Sequence, residues 1–405
     1  MTHLDATRES YEAMPYERLV HRFTHPDRIA LAVRRHGFEP VPAAGARVLE
    51  LGCASGDNLV GMAYGLPSAR FVGVDFSARQ IGAGRRLVEA LGIRNVSLVA
   101  GDLGDVDEGW GAFDYVLAHG VLSWVPEPVR RRVFEVCGER LSERGAAFVS
   151  WNALPGWRFR HLVRDVLRAG AGGAREPGER ARLARERLAL VAASVVDPAG
   201  PWGRYLAERG AELADESDAD LLHDYLEEEN EAFSLGDVVA RAGAAGLDYL
   251  CDAQEPFVPP ETWSPEVRRV LEGLRGEVER EELLDVLRER TLRQGLFVRA
   301  GAKRGPREVP AAEEGLELAS VPLSRGAPLS PRPRASALAR LQAADGPRVT
   351  SFRHRNVTLD PLATAVLLLL DGTRTVEEVA GECGEPEFVA EAVVERLRAD
   401  ALLEA

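Results

Sequence analysis

Short apolar runs and amphipathic stretches alternate along residues 47–151. Each run has the length and composition of a strand that is buried on both faces of a sheet. The runs are RVLEL (47–51), RFVGV (70–74), VSLVA (96–100), DYVLA (114–118) and AAFVSW (146–151). Strands that alternate with helices predict an α/β fold with a parallel, doubly wound sheet.

Helix signals occupy the segments between these runs. In SARQIGAGRRLVEALG, Ser77 and Gln80 hold the positions of a capping box, and Gly92 is placed to end the helix. In PEPVRRRVFEVCGERL, apolar residues recur at helical spacing from Val129 to Leu141. Both segments are therefore predicted to be amphipathic helices.

The pattern changes in the second half of the chain. Residues 158–232 have the pattern of charged helices. The apolar runs at 246–252 and 292–301 are predicted to be two late strands of the same sheet, separated by helices. Residues 302–335 are rich in Pro, Gly, Ala and Arg and lack periodicity, which predicts a linker.

The C-terminal region has the pattern of a small helical module. An apolar helix is predicted at 361–370, and a second helix begins with Thr375 and Glu378 in the positions of a capping box. A third helix is predicted at 386–399. Three short helices at this spacing favour a winged-helix-like domain.

Composition narrows the classes of function. Lys and Arg number 50 against 64 Asp and Glu, and the net charge of −14 disfavours nucleic acid as the main partner. The four cysteines are far apart and no two histidines have metal-ligand spacing, so we expect reduced thiols and no metal site. The polar N-terminus lacks the features of a signal peptide, and the apolar stretch at 363–370 is too short to span a bilayer. We therefore predict a cytoplasmic protein with no membrane partner.

The loop VLELGCASGDN (48–58) follows the first predicted strand, where α/β proteins bind nucleotides. It lacks the Lys-Ser/Thr pair of a Walker loop and the G-x-G-x-x-G spacing of a dinucleotide-binding loop. Asp57 begins the next helix, where its carboxylate would repel a diphosphate. A ligand without phosphate that carries a positive sulfur and an ammonium group fits this loop, and S-adenosylmethionine is such a ligand.

Acidic residues after the next two strands support the same cofactor. Asp75 ends the second strand, where a carboxylate can accept hydrogen bonds from both ribose hydroxyls. Asp102 follows the third strand, where it can accept a hydrogen bond from the adenine amino group.

These segments resemble a known family. ELGCASG, GVDFS and AGDL are similar to the first three motifs of class I S-adenosylmethionine-dependent methyltransferases. A narrower set of segments resembles bacterial methyltransferases that carry a methyltransferase regulatory domain, a group that includes rickettsial lysine methyltransferases of outer-membrane protein. That set is YEAMPY, FTHPDRIA, LAHGVLSWVP, VSWNALPGW, HDYLEEENEAF, ARLQAADGPRVTSFRHRNV and LLDGTRT. Ala54 replaces the usual central glycine of the first motif, and Trp151 stands where a tyrosine is expected.

The resemblance covers nearly the whole chain and implies a Rossmann-like methyltransferase sheet with helical insertions and a C-terminal winged-helix-like domain. The expected divisions are an N-terminal lid segment (1–45), a cofactor domain (46–170), a helical regulatory region with the late strands (171–301), the linker (302–335) and the winged-helix-like domain (336–405). The expected cofactor contacts are Tyr11, Glu50, Gly52, Ala54, Gly56, Asn58, Asp75, Phe76, Gln80, Asp102, Leu103 and His119.

The methyl acceptor is expected beside the segment that follows the fourth strand. His119 is the candidate base for an amine acceptor, with hydrogen bonding to the backbone or to adenosine as the alternative. Trp124 is expected to stabilise a sulfonium or methylammonium cation, and Asn152 to orient the acceptor. Trp157 is predicted mainly to pack. Tyr11 and Tyr16 are expected to fold over the cofactor, as similar tyrosines do in related methyltransferases.

The predicted function is N-methylation of a protein or peptide, with lysine implied by the resemblance alone. Tailoring of a natural product or a small ribosomal peptide is the alternative. A non-catalytic, DNA-binding regulator is disfavoured, because residues 331–405 contain nine arginines and twelve acidic residues, whereas a DNA-binding domain should be basic. The helical insertion and the C-terminal module are expected to form an acceptor groove or a homodimer interface, so deletion of 331–405 should weaken acceptor binding more than cofactor binding. The acidic run at 227–231 either attracts a basic substrate or forms a solvated helix face.

Overall fold

A seven-stranded sheet lies at the centre of the computed structural model, which describes residues 13–14, 18–254, 262–302 and 330–404. The strands are β1 Arg47–Leu51, β2 Arg70–Asp75, β3 Val96–Ala100, β4 Phe113–Ala118, β5 Leu141–Asn152, β6 Leu247–Asp252 and β7 Leu292–Arg299. Their order across the sheet is β3-β2-β1-β4-β5-β7-β6. Strands β1 to β5 are parallel, as predicted, whereas β7 runs antiparallel to both of its neighbours.

Helices cover both faces of the sheet. They are α1 Pro26–Arg35, α2 Asp57–Gly65, α3 Ala78–Leu91, α4 Glu127–Arg140, α9 Leu235–Ala244 and α11 Glu277–Leu287, while α10 Pro265–Gly273 buries none of its residues. Alternate residues of β1 enter opposite cores, because Val48 packs in one cluster and Leu49 in the other. The sheet is therefore doubly wound, which confirms the predicted fold class.

Local signals set the ends of several elements. The Ser77 side chain accepts a hydrogen bond from the backbone N–H of Gln80 at the start of α3, and Gly92 ends that helix at a φ of +64°. His25 caps α1 by accepting from the N–H of Asp27. A glycine tolerates the left-handed conformation that such a helix end requires.

The region between β5 and β6 forms a separate helical layer. Its helices are α5 Gly156–Ala171, α6 Pro177–Ala193, α7 Pro201–Asp215 and α8 Asp218–Leu221, followed by a π-helical turn at Leu222–Leu226. They bury a core of their own that includes Leu167, Leu188, Leu206 and Tyr225. Across the described residues, no helix combines the length and apolar composition that a bilayer crossing needs.

The C-terminal domain has a fourth helix and a hairpin that the sequence pattern did not indicate. Its elements are α12 Ala337–Asp345, β8 Arg348–Thr350, β9 Asn356–Thr358, α13 Pro361–Leu369, α14 Val376–Cys383 and α15 Glu387–Ala399. The capping box of Thr375 and Glu378 is formed at the start of α14, as predicted. The helices and the antiparallel hairpin β8–β9 make this a winged-helix domain. Most of the predicted linker lies outside the described residues.

Candidate functional site

A cavity of about 550 Å³ opens at the carboxyl ends of β1, β2, β4 and β5. Its volume suits a ligand of nucleoside size. The loop after β1 and residues 18–21, which precede α1, line one end, and side chains from α5 line the other. Among the described residues, none from 330–404 lines the cavity.

Most of the predicted site residues meet at this cavity. Those that line it are Glu50, Gly52, Ala54, Asn58, Asp75, Phe76, Gln80, Asp102, Leu103, His119, Trp124 and Asn152. Gly56 does not line it, because this residue packs against Leu98: a Cβ at Gly56 would lie 2.7 Å from Leu98 Cδ2. Tyr11 and Tyr16 lie outside the described residues, so their expected lid role stays a prediction.

The loop between β1 and α2 turns through left-handed backbone conformations. Gly52 has a φ of +69°, and a Cβ there would lie 2.7 Å from Val121 Cγ2. Ala54 has a φ of +50°, which is strained for a residue with a side chain. The backbone N–H of Ala54 donates to Asp75 Oδ2 at 2.9 Å, so the strained residue is held against the end of β2.

Two acidic side chains mark the ends of β2 and β3. The buried carboxylate of Asp75 is fixed by the N–H groups of Ala54 and Ser77, at 2.9 and 2.8 Å. Each of its oxygens retains a lone pair for a further donor such as a hydroxyl group. Asp102, which follows β3, accepts a hydrogen bond from the N–H of Gly104 at 2.7 Å and also lines the cavity.

Three buried carboxyl groups make the cofactor end of the cavity suited to a positive ligand. Burial raises the pKa of Glu50 to about 8, and it raises the pKa values of Asp57 and Asp75 as well. Glu50 Oε2 and Asp57 Oδ1 have no hydrogen-bond partner among the described residues, although Arg18 Nε lies 4.0 Å from Asp57. Buried acids without full compensation favour a ligand that brings positive charge. The sulfonium and ammonium groups of S-adenosylmethionine meet that requirement.

The side chain of Asn58 is committed to protein partners. Its Nδ2 donates to Glu50 Oε1 at 2.7 Å and to Thr24 Oγ1 at 3.0 Å. Its Oδ1 accepts from the N–H of His21 at 2.9 Å and lies 2.8 Å from Nε2 of His354. Asn58 was predicted to contact the cofactor, but these bonds give it the geometry of a support for Glu50.

Two tryptophans form a wall at the acceptor end. The rings of Trp124 and Trp157 meet edge to face with centroids 6.0 Å apart, and both line the cavity. Trp157 is buried and packs on Tyr225, as its predicted packing role requires, but it also contributes to the wall. The guanidinium of Arg160 lies 5.4 Å from the centroid of Trp157. Aromatic faces in this setting stabilise cations.

Asn152 ends β5 beside this wall. Its backbone N–H donates to Ser123 Oγ at 2.9 Å, and its Nδ2 donates to Asn230 Oδ1 at 3.4 Å. Asp224, on the π-helical turn, also lines this part of the cavity. Both of these bonds use N–H groups of Asn152, and its side-chain oxygen can accept a hydrogen bond from an amine.

Trp151 occupies its position because a glycine faces it. The ring is buried, and a Cβ at Gly295 of β7 would lie 2.9 Å from two of its atoms. The large side chain at position 151 and the missing side chain at position 295 therefore depend on each other.

His119 is half-buried in the wall of the cavity. Its ring centroid lies 3.9 Å from that of His21 and 5.9 Å from that of Phe148. Burial, with the neighbouring His21, lowers the pKa of His119 well below its usual range. An imidazole of low pKa is a weak proton acceptor, which disfavours the role of base, while the alternative of a hydrogen bond to the backbone or to adenosine stays a prediction.

The acidic run at 227–231 is used inside the protein. The carboxylates of Glu229 and Glu231 pair with buried Arg130. The backbone carbonyls of Glu227 and Glu228 accept from Arg164. The Glu227 carboxylate lies 3.1 Å from His223 Nδ1, so three of the four acidic side chains of this run have partners inside the protein, whereas Glu228 is exposed.

Several lining residues were not predicted. They include Arg18, His21, Ser150, Arg160 and Asp224. Arg18 and His21 precede the first strand, and Arg160 and Asp224 lie in the helical region between β5 and β6, so no strand-end motif marks them. Only Ser150 could have been placed from the sequence, because it lies near the end of the fifth apolar run.

Three family models match consecutive parts of the chain. The model of a methyltransferase domain matches residues 48–145, and that of a predicted methyltransferase regulatory domain matches residues 217–299. The model of the PKMT C-terminal winged-helix domain matches residues 331–394. The three matches follow the order of the sheet, the helical region with the late strands, and the winged-helix domain.

Two similar proteins come from Rickettsia prowazekii. The uncharacterised protein RP789 is 33% identical over 292 residues, which is 72% of this chain and 53% of that protein. The uncharacterised protein RP028 is 31% identical over 221 residues, which is 55% of this chain and 88% of that protein. The chain thus spans about half of the first relative and most of the second.

A solved structure shares the fold from end to end. PKMT2 from Rickettsia typhi matches with a TM-score of 0.84 at 21% identity, covering 96% of this chain and 100% of that one. Its complex with AdoHcy matches equally well, at 20% identity. The chain belongs to the S-adenosylmethionine-dependent methyltransferases that join a methyltransferase domain to a methyltransferase regulatory domain and a PKMT winged-helix domain.

Proposed function

We propose that this protein transfers the methyl group of S-adenosylmethionine to the side-chain amine of a lysine in a polypeptide. One observation carries the proposal: a single cavity joins the buried carboxyl groups of Glu50, Asp57 and Asp75 to the aromatic wall of Trp124 and Trp157. The first set suits a cationic cofactor, and the second suits an acceptor that becomes a methylammonium cation.

The chain's own residues fix the cofactor end in this proposal. Asp75 accepts the ribose hydroxyls, Asp102 accepts from the adenine amino group, and Glu50 compensates the positive charge. When bound, S-adenosylmethionine supplies an electrophilic methyl group on a sulfonium. Holding that methyl in line with the acceptor provides much of the rate enhancement.

The acceptor must arrive as a neutral amine, because an ammonium has no lone pair. The amine nitrogen attacks the methyl carbon, the C–S electron pair stays on sulfur, and the new ammonium then releases a proton to water. Partial removal from water beside the aromatic wall would lower the pKa of an entering amine, and the neighbouring sulfonium would disfavour an ammonium. Asn152 orients the amine in this scheme, and neutral His119 supports the site through packing.

Lysine as the acceptor is supported by the names of similar proteins. The matched winged-helix family is described as PKMT, and the Rickettsia typhi protein of the same fold is PKMT2. Trp151 also lines the cavity, at a position where the family resemblance implies tyrosine. The polypeptide that carries the lysine is therefore to be identified by experiment.

A labelling experiment tests the proposal. The pure protein is incubated with methyl-labelled S-adenosylmethionine and an extract of its source organism, and polypeptides are separated from small molecules. Label that is recovered as methyl-lysine after hydrolysis supports the proposal and identifies the partner. Label confined to a small molecule would replace it with natural-product tailoring.

A further inference from the structure

The winged-helix domain packs along one side of α2, the helix that follows the cofactor loop. Asn58, Gly61 and Tyr64 recur at a spacing of three on this side. A Cβ at Gly61 would lie 3.2 Å from atoms of both Thr350 and His354, so any side chain here would crowd this contact. Tyr64 accepts from the N–H of Ala337 at 3.1 Å.

The opposite side of α2 is fixed in the sheet domain. Leu59 and Met62 are fully buried in the core cluster of the sheet. The helix is therefore held between two domains, and its first turn forms part of the cofactor cavity through Asp57 and Asn58.

The closest polar contact comes from the turn between β8 and β9, which we call the wing (residues 351–355). His354 is buried in this turn with a φ of +52°, a strained conformation for a residue with a side chain. Its Nε2 lies 2.8 Å from Asn58 Oδ1, and because an amide oxygen only accepts, Nε2 is the donor. The other end of the same amide donates to Glu50.

A second contact beside the wing holds the segment 18–21. Asn356, at the start of β9, accepts from the N–H of Val20 at 3.0 Å and donates to its carbonyl at 2.9 Å. The neighbours of Val20, Leu19 and His21, line the cavity, and His21 packs on His119. One side-chain amide thus fixes the backbone of a segment that borders the site.

We propose that the winged-helix domain is a positioning element of the cofactor site, acting through His354 on Asn58 and Glu50 and through Asn356 on residues 18–21. The inference rests on the proposed cofactor but not on the identity of the acceptor. It gives this domain a role at the cofactor site, whereas its expected part in an acceptor groove or a homodimer interface stays a prediction; no described residue of 330–404 lines the cavity itself. Neither His354 nor Asn356 lines the cavity, so both are positioning residues.

Calorimetric titration of S-adenosylmethionine into the full chain tests the inference. His354→Ala and Asn356→Ala are each expected to raise the dissociation constant about tenfold, since each leaves buried polar partners unpaired. His354→Gln, whose amide can donate from a similar reach, is expected to restore most of the affinity. Arg396→Ala is the control, because it breaks only the exposed pair of Arg396 with Asp360 within the same domain.

Steady-state kinetics separates positioning from loss of folded protein. Positioning predicts a higher KM for S-adenosylmethionine with a kcat at saturation within about twofold of the original, whereas partial unfolding lowers kcat. The inference fails if folded His354→Ala and Asn356→Ala bind as tightly as the original chain, or if Arg396→Ala weakens binding equally. If the unaltered chain does not bind the cofactor, the proposed function fails first.

Discussion

At the scale of single residues, the buried carboxyl groups give the site its selectivity for charge. Burial raises the pKa of Glu50 to about 8, while Asn58 donates a hydrogen bond to one of its oxygens. Between the ordinary pKa of 4.5 and this value, the folded protein retains a proton that the unfolded chain has lost. Ionisation of Glu50 therefore costs stability as the pH rises through this window, unless a cation is bound.

Binding of a cationic cofactor should release this proton. The dissociation constant for S-adenosylmethionine is expected to fall as the pH rises from 6 to 8, by at most about tenfold per unit, and then to level off. Calorimetry in buffers of different ionisation enthalpy measures the proton release directly. S-adenosylhomocysteine lacks the sulfonium and should show a weaker dependence, and Glu50→Gln should remove it. A flat profile for the unaltered protein would refute this assignment.

Ala54 offers a test of backbone strain. Because its φ is +50°, Ala54→Gly should stabilise the protein by about 0.5–1 kcal/mol in urea denaturation. Ala90→Gly, on the exposed side of α3, is the matched control and should destabilise by about the same amount. Equal losses from both substitutions would mean that the loop relaxes around alanine without strain.

His119 can be tested through the pH dependence of turnover. If the acceptor amine loses its own proton, kcat/KM should rise about tenfold per pH unit between 7 and 9, in both the original protein and His119→Gln. The substitution should lower the rate at every pH to a similar extent. A loss of the pH dependence in His119→Gln, or a fall of about a thousandfold, would instead identify His119 as the base.

The residues that the sequence identified are those set by local motifs. Asp75 and Asn152 follow apolar strands, so their position at the cavity could be predicted. His354 carried no such signal, since it meets Asn58 across 296 residues. Trp151 and Gly295 likewise depend on each other across two strands, which no local pattern records.

At the scale of secondary structure elements, α2 transmits contacts between domains. Gly61→Val should push the wing away from α2, because even a Cβ at this position lies within 3.2 Å of Val20, Thr350 and His354. Hydrogen exchange of residues 348–358 should increase, and cofactor affinity should fall. Gly65→Val, at the end of the same helix with open space around its Cβ position, is the control. Unchanged exchange in Gly61→Val would show that the interface adapts.

Element prediction succeeded where apolar runs were long enough. The parallel strands could be predicted because each is a continuous run of mainly apolar residues, even β3, which is only partly buried, whereas β8 and β9 have three residues each and present no periodicity. The antiparallel direction of β7 depends on its pairing with β5 and β6, and the pattern of its side chains is the same in either direction.

At the scale of the whole molecule, the net charge of −14 governs encounters with partners. A basic polypeptide acceptor should associate faster at low salt, so its KM should rise several-fold between about 0.05 and 0.3 M ionic strength. The dissociation constant of S-adenosylhomocysteine, measured over the same range of ionic strength, should change much less and serves as the control. A salt-independent KM would point to an acceptor without net positive charge.

The contact between Asn58 and the wing also has a consequence for how the chain is made. At about 5–20 residues per second, roughly 15–60 s separate the synthesis of Asn58 from that of His354, which lies 296 residues later. During that interval the sheet domain is itself completed, because β7 ends only at Arg299, and one side of α2 still lacks its cover. Until the winged-helix domain has been synthesised, Asn58 therefore lacks the hydrogen bond from His354. We expect chaperones to bind the nascent chain mainly during this period.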